Sequence, residues 1–357
     1  MAADSSAKQE RKPADVVLSG GGVKFIGLVG AIVALMDAGY SFKRVSGVSA
    51  GSVVAAILAA ASKDDQLTSE ELKELALSVP LRKWRDAAPV PLLGAAWGLL
   101  RDTAMYRGDA AYDWVRSELK NLGVTTFGDL PLNHDNLLEG RRYKLVVTVS
   151  DVTAAQLVRL PWDYRRLYGL DPDEQLVADA VRASMAIPFF YRPVTLTAAT
   201  GATSTLVDGG VLSNFPIDTF DRSDGKPPRW PTFGITVLPR PTEGIGAVMP
   251  ALKPLRLFEQ TALLESLLTT MLAGHDQTHL SKPWVWSRAI TVESTNVGVL
   301  DFDISKDRLE ELYDNGYAAA QKFLSTWDWP TYLERFRRYD SSCPAPGSPQ
   351  GEVTRQR

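Results

Sequence analysis

GVSAGS, residues 47–52, puts a glycine two positions before Ser49 and another two positions after it. That is the G-x-S-x-G spacing of a nucleophile held on a sharp strand-to-helix turn. The glycines remove side chains where strand and helix nearly collide, and the serine projects at the N-terminus of the helix that follows. Backbone N–H groups there are unsatisfied and carry partial positive charge, which suits a developing oxyanion. The motif is short, and taken alone it also fits a serine that merely caps a buried helix. A nucleophilic serine needs a base, and the chain holds three histidines, at 134, 275 and 279.

Working outward, ADVVLSGGG (14–22) predicts a short apolar strand, then glycines, then a helix running to about Ala38. SFKRVSGVSAGS (41–52) predicts a second strand entering the serine turn. The helix after it, AGSVVAAILAAAS, is apolar on nearly every face, the mark of a buried helix. Further strands are expected at Tyr143–Val149, Val194–Thr197, Thr205–Val207, Phe233–Leu238 and Ala289–Val292, with helical stretches between them. That alternation favours a layered α/β sheet. A last long helix over about 305–325 sets Leu309, Leu312, Tyr313, Ala320, Phe323 and Leu324 at helical spacing, a core-facing stripe.

Three consecutive glycines in SGGGVKFIGLVGAI (19–32) let the backbone approach a ligand and can form an anion-binding nest. The phosphate-loop pattern fails, because no glycine at the required spacing is followed by Lys-Ser or Lys-Thr. The dinucleotide pattern fails too, since its last glycine falls on Phe25. An oxyanion hole is the better reading beside a nucleophilic serine; a turn without a ligand is the plain alternative. In LVDGGVLSNFP (206–216), Asp208 ends an apolar strand ahead of two glycines, and by itself it reads as the start of a turn.

Bulk composition narrows the classes. With 357 residues, 45% hydrophobic and 23% charged, the chain has ordinary globular values and length for a substantial core. A net charge of −3 offers no basic footprint for nucleic acid, although the pairs Arg141–Arg142 and Arg165–Arg166 leave a local basic patch open against a solvated surface. The single cysteine, Cys343, excludes an internal disulfide framework and fits a reducing compartment. The polar start MAADSSAKQERKPAD lacks the apolar core of a Sec-type signal, and no apolar run reaches the roughly 18 residues that span a bilayer. A soluble, cytoplasmic protein is expected, peripheral at membranes or exported by a route without a Sec signal being the variants. Residues 1–13 and 341–357 read as disordered ends around a single domain over 14–340.

The three stretches, in this order and at these spacings, resemble the patatin-like phospholipases. MYRGDAAYDWVRSELKNLGVTTFGDL, DVTAAQLVRLPWDY and VADAVRASMAIPFFYRPV are similar to family segments as well. The resemblance is good over about 14–240 and looser over 241–340. It implies a three-layer α/β/α hydrolase with a mostly parallel central sheet. It also implies a Ser–Asp dyad without histidine, in which Asp208 takes the proton of Ser49 although the two lie 159 residues apart. A free Asp, with a pKa of about 3.9, is a weak base at neutral pH, and burial would raise it. On this reading Gly20, Gly21, Gly22 and Ala50 supply the oxyanion hole, while Gly47, Gly51, Gly209 and Gly210 support the turns. The chain departs from the family at Phe25, where glycine usually follows the basic residue of the loop; Phe25 is expected to narrow the pocket or reorient the loop. Lys24 is expected either to steer anionic headgroups or to be an ordinary helix-surface lysine.

The implied activity is hydrolysis of carboxylic esters of phospholipids through an acyl-serine intermediate, with no metal or organic cofactor. A general carboxylesterase or neutral-lipid lipase is the nearest alternative, and a lipid-binding signalling module awaiting an activator is the alternative of another class. The expected partners are a lipid ester and, transiently, a membrane surface. Two apolar stretches, 88–105 and 251–273, are candidates for lipid contact, with core packing as the equal alternative. HDQTH (275–279) spaces two histidines like a zinc-protease motif, but Asp276 is short for the work and no third ligand is identifiable, so a zinc site is not expected.

Overall fold

The computed structural model describes residues 11–63, 67–86, 104–132, 141–224, 226–237, 282–294 and 297–336. The first third follows the apolar pattern of the sequence: β1 (Lys12–Leu18), α1 (Phe25–Asp37), β2 (Tyr40–Val48), α2 (Ala50–Ala61) and α3 (Ser69–Leu77). The middle of the chain adds β3 (Ala104–Tyr106), α4 (Asp109–Asn121), β4 (Leu145–Asp151), β5 (Gln156–Leu160) and α5 (Val177–Ser184). Then come β6 (Phe189–Tyr191), β7 (Val194–Thr197), β8 (Thr203–Asp208), β9 (Thr232–Thr236) and β10 (Ala289–Thr291), and finally α6 (Lys306–Leu324) and α7 (Trp329–Phe336). β1 takes in Lys12 and Pro13, because its start pairs with Tyr40 and Ser41 of β2; strand structure thus begins two residues earlier than the apolar run suggests.

The main sheet runs β10-β9-β1-β2-β4-β8-β7, with β5 hairpinned onto β4. The pairs from β10 to β4 are parallel, whereas β8, β7 and β5 join antiparallel. Strands buried on both faces are rich in apolar residues on both, and the centres of β1 and β4 follow this, although Asp15, Thr148 and Ser150 are buried polar residues among them. Val16, Leu18, Leu145 and Val147 face the main core, while Val17 and Val146 face the opposite side against Phe220 and Trp162. Helices α1, α2 and α6 contribute to the main core. The other face is covered by the segment holding Phe215 and Ile217 and by the helical turn Pro283–Trp286, whose Val285 packs against them. The architecture is three-layer α/β/α. No helix among the described residues is long and apolar enough to cross a membrane.

α1 and α6 meet backbone to backbone. A Cβ on Gly316 would fall 1.9 Å from the Gly27 carbonyl oxygen, and one on Gly30 would fall 2.0 Å from that of Tyr313. That crossing seats α6 on α1, and α1 begins at the glycine loop that leaves β1. The carboxyl ends of β1 and β2 therefore open side by side, the edge where parallel α/β sheets present their binding loops.

Candidate active site

Ser49 occupies the single residue between β2 and α2, with φ 53° and ψ −132°. A left-handed conformation at a residue with a Cβ costs of order 1–3 kcal/mol and marks a site where geometry serves chemistry. The crowding that demands the flanking glycines is explicit: a Cβ on Gly47 would lie 2.3 Å from the Gly51 carbonyl oxygen, and one on Gly51 2.3 Å from that of Ser19. Ser52 then clamps the turn, its Oγ donating to the Ser49 carbonyl at 2.6 Å.

Asp208, the last residue of β8, reaches the same point from the far side of β4. Its Oδ2 accepts from Ser49 Oγ at 2.6 Å and its Oδ1 from the Gly210 N–H at 2.8 Å. The Asp208 N–H donates to the Ala186 carbonyl at 2.9 Å, which holds the strand end in place. Gly209 lets the chain turn tightly against the Thr148 carbonyl of β4, where a Cβ would fall 2.3 Å away. Both side chains of the pair are buried, Asp208 completely and Ser49 to all but 5%. Burial lifts the Asp208 carboxyl from 3.8 to about 7, against the opposing pull of the Ser49 hydroxyl and the Gly210 N–H. A carboxylate poised there exchanges protons readily near neutral pH.

The glycine loop adjoins this pair: a Cβ on Gly20 would sit 3.0 Å from the Ser49 Cβ and 2.2 Å from Asn214 Oδ1. Gly20 itself donates its N–H to the Asn214 carbonyl at 3.1 Å, so it has no donor left for an oxyanion, contrary to the sequence-based expectation. The N–H groups of Gly21, Gly22 and Ala50 have no acceptor among the described residues. Gly22 holds φ 55°, with Val299 so close that no side chain would fit.

Two loop residues behave differently from expectation. Phe25 does not narrow the pocket: it is buried in the core and stacks on Trp84, ring centroids 6.4 Å apart, because it opens α1 rather than closing the loop. Lys24 is neither on a helix surface nor able to steer a headgroup, being fully buried. Desolvation lowers its ammonium from 10.5 to about 8, partly offset by the Glu293 carboxylate.

Sequence reasoning passed over Ser184. Its Oγ accepts the Ser49 N–H at 2.8 Å and donates to the Thr148 carbonyl at 2.7 Å, tying the Ser49 backbone to β4. The signal was a small polar residue at the end of an otherwise apolar helical face in VADAVRASMAIPFFYRPV. His134, His275 and His279 lie outside the described residues, as do the stretches 88–105, apart from Ala104 and Met105, and 251–273.

The family model for patatin-like phospholipases matches residues 16–221, a span that takes in the glycine loop, Ser49 and Asp208. The chain belongs to this family. YqhO of Bacillus subtilis (strain 168) is 35% identical over 318 residues, covering 88% of this chain and 99% of YqhO. Among solved structures, VipD from Legionella pneumophila is similar at 20% identity and a TM-score of 0.48, over 90% of this chain and 69% of VipD. Full-length ExoU of Pseudomonas aeruginosa, solved in complex with SpcU, is similar at 19% identity and a TM-score of 0.43, over 89% of this chain and 54% of ExoU. Membership in a phospholipase family supports lipid hydrolase activity for this chain.

Proposed function

We propose that the protein is a serine acyl hydrolase of the phospholipase A type, using Ser49 and Asp208 as a dyad. The observation that carries this reading is the buried hydrogen bond of 2.6 Å from Ser49 Oγ to Asp208 Oδ2. Asp208 takes the hydroxyl proton as Ser49 Oγ bonds to the ester carbonyl carbon, and the carbonyl oxygen becomes an oxyanion. The N–H groups of Gly21, Gly22 and Ala50 are the donors that would hold that charge. Collapse expels the alcohol, which receives the proton back from Asp208, and leaves an acyl-serine. Water, deprotonated by the same carboxylate, attacks the acyl carbon, and collapse returns the proton to Ser49 with release of the fatty acid. Ser184 and Ser52 keep the Ser49 backbone in its strained conformation throughout.

A membrane lipid is the substrate the family relationship favours, reached during transient contact with a bilayer surface. The test is fatty-acid release from mixed phospholipid vesicles and from a short nitrophenyl ester, with wild type, Ser49→Ala and Asp208→Asn. Release from vesicles that both substitutions abolish, with folding intact by circular dichroism, is the expected result. Turnover of the short ester alone would make the protein a general esterase. Lipid binding without turnover in any form would replace the unaided enzyme with a module that waits for an activator.

A further inference from the structure

A second polar site lies beside the middle of β1 and β2, on the sheet face that Val17 and Val146 share with Phe220 and Trp162. A cavity of about 260 Å³ opens beside Asp15 of β1 and Arg44 of β2 and shares no residue with the Ser49 site. Its volume is close to the lower end of small-molecule pockets, about 300 Å³.

The backbone is shaped to build it. Ala14 pairs with Phe42 but Asp15 pairs with Arg44, so Lys43 is an extra residue in β2. A bulge re-aims the side chains that follow it. Here it sets Arg44 against Asp15, Nη2 to Oδ2 at 2.5 Å, with the guanidinium 4.6 Å from the centre of the Phe220 ring. Asp15 is only 1% exposed. Fold stability does not demand such a pair, since apolar residues of similar volume often serve as well.

The charges around the cavity do not balance. Asp221 is held by Arg288 through two bonds, at 2.6 and 2.7 Å, and Asp224 is paired with Arg222. Arg141 and Arg229 also line the cavity, both exposed, and neither has a carboxylate partner among the described residues. Among the described residues, two cations are thus in excess. The remaining walls are aromatic: Trp162, with Arg141 5.0 Å over its ring, Phe220 and Trp230. The indole N–H of Trp162 is buried without an acceptor among the described residues.

We propose that this cavity binds a small phosphate monoester that carries a planar aromatic base, with the chemistry of a nucleoside monophosphate. The dianionic phosphate lies between Arg141 and Arg229, and the planar ring lies against Trp162 and Trp230. Arginines engage phosphate oxygens through paired N–H groups, and aromatic walls favour a flat π-system. The site stands independently of the hydrolase chemistry.

Isothermal titration of the full chain with AMP, adenosine and inorganic phosphate tests this. One AMP per chain should bind at least tenfold more tightly than either phosphate or adenosine. Arg141→Ala/Arg229→Ala should weaken AMP at least tenfold. The control Arg165→Ala/Arg166→Ala, which removes an equal charge elsewhere, should leave the affinity unchanged, and so should Ser49→Ala. Absence of saturable AMP binding, phosphate bound as tightly as AMP, or equal losses in the two arginine double variants would each overturn the proposal.

Discussion

Replacing Asp208 by asparagine should inactivate the enzyme and at the same time change how its stability depends on pH. In the folded protein the carboxyl titrates at about 7, in the unfolded chain near 3.8. Between those values the native state keeps a proton that the unfolded state has released, so the wild type loses stability as pH rises through the window. Each pH unit there is worth about 1.4 kcal/mol, giving about 4 kcal/mol in all, fully developed above pH 7 and absent below pH 4. Against a typical total of about 5–15 kcal/mol, that is a large fraction. The amide of the Asp208→Asn variant carries no charge and feels none of it. It does lose one of the two acceptors that serve Ser49 Oγ and the Gly210 N–H, a pH-independent cost of about 1 kcal/mol. Urea unfolding of both proteins at pH 4, 5.5, 7 and 9 reads the difference. The variant should gain about 4 kcal/mol on the wild type between the extremes, while kcat falls at least a thousandfold. Stability curves that run parallel across this range would refute the buried, proton-holding carboxylate.

The same titration predicts a kcat/KM that falls about tenfold per unit below pH 7 and levels off above it, measured on a short nitrophenyl ester. Ser49→Gly should be more stable than Ser49→Ala by about 1 kcal/mol in thermal or urea unfolding, because only Gly accepts φ 53° without strain; equal stabilities would contradict the strained turn. Ser184→Ala should lower kcat about tenfold with KM little changed, since the Ser49 N–H loses its acceptor while the substrate-facing donors stay in place. Gly316→Ala should cost about 3 kcal/mol or more and lower Tm by several degrees, because the added methyl would overlap the Gly27 carbonyl across two rigid helices.

Local features are legible wherever the chain carries its own instructions. The strand Val194–Thr197 lies where the apolar alternation puts it, and α2 is buried on every face, as an apolar helix without a polar side must be. α6 spans Lys306–Leu324 and turns Leu309, Leu312, Tyr313 and Ala320 inward, as the 3.6-residue period requires. β5 carries no comparable signal, because QLVRL is held by its hairpin partner β4 rather than by a strong pattern of its own. Phe25 and Lys24 depart from expectation for a related reason: side-chain chemistry suggests a pocket or a surface, but the start of α1 points both into the interior.

By itself, the sequence determined the parts of the site that depend on neighbours in the chain. Glycines at 47 and 51 favour a tight strand-to-helix turn with Ser49 at its apex, and the glycine run after β1 lets the backbone approach a ligand. What only the tertiary structure decided are the relations between distant segments. The antiparallel addition of β8 to β4 carries Asp208 to within 2.6 Å of a serine 159 residues earlier, and its complete burial raises its carboxyl to about 7. The same packing uses up the Gly20 N–H on Asn214 and brings the Ser184 hydroxyl to the Ser49 N–H. A hydrogen bond or a desolvation energy depends on which atoms meet across the fold, and no local pattern of residues encodes that meeting.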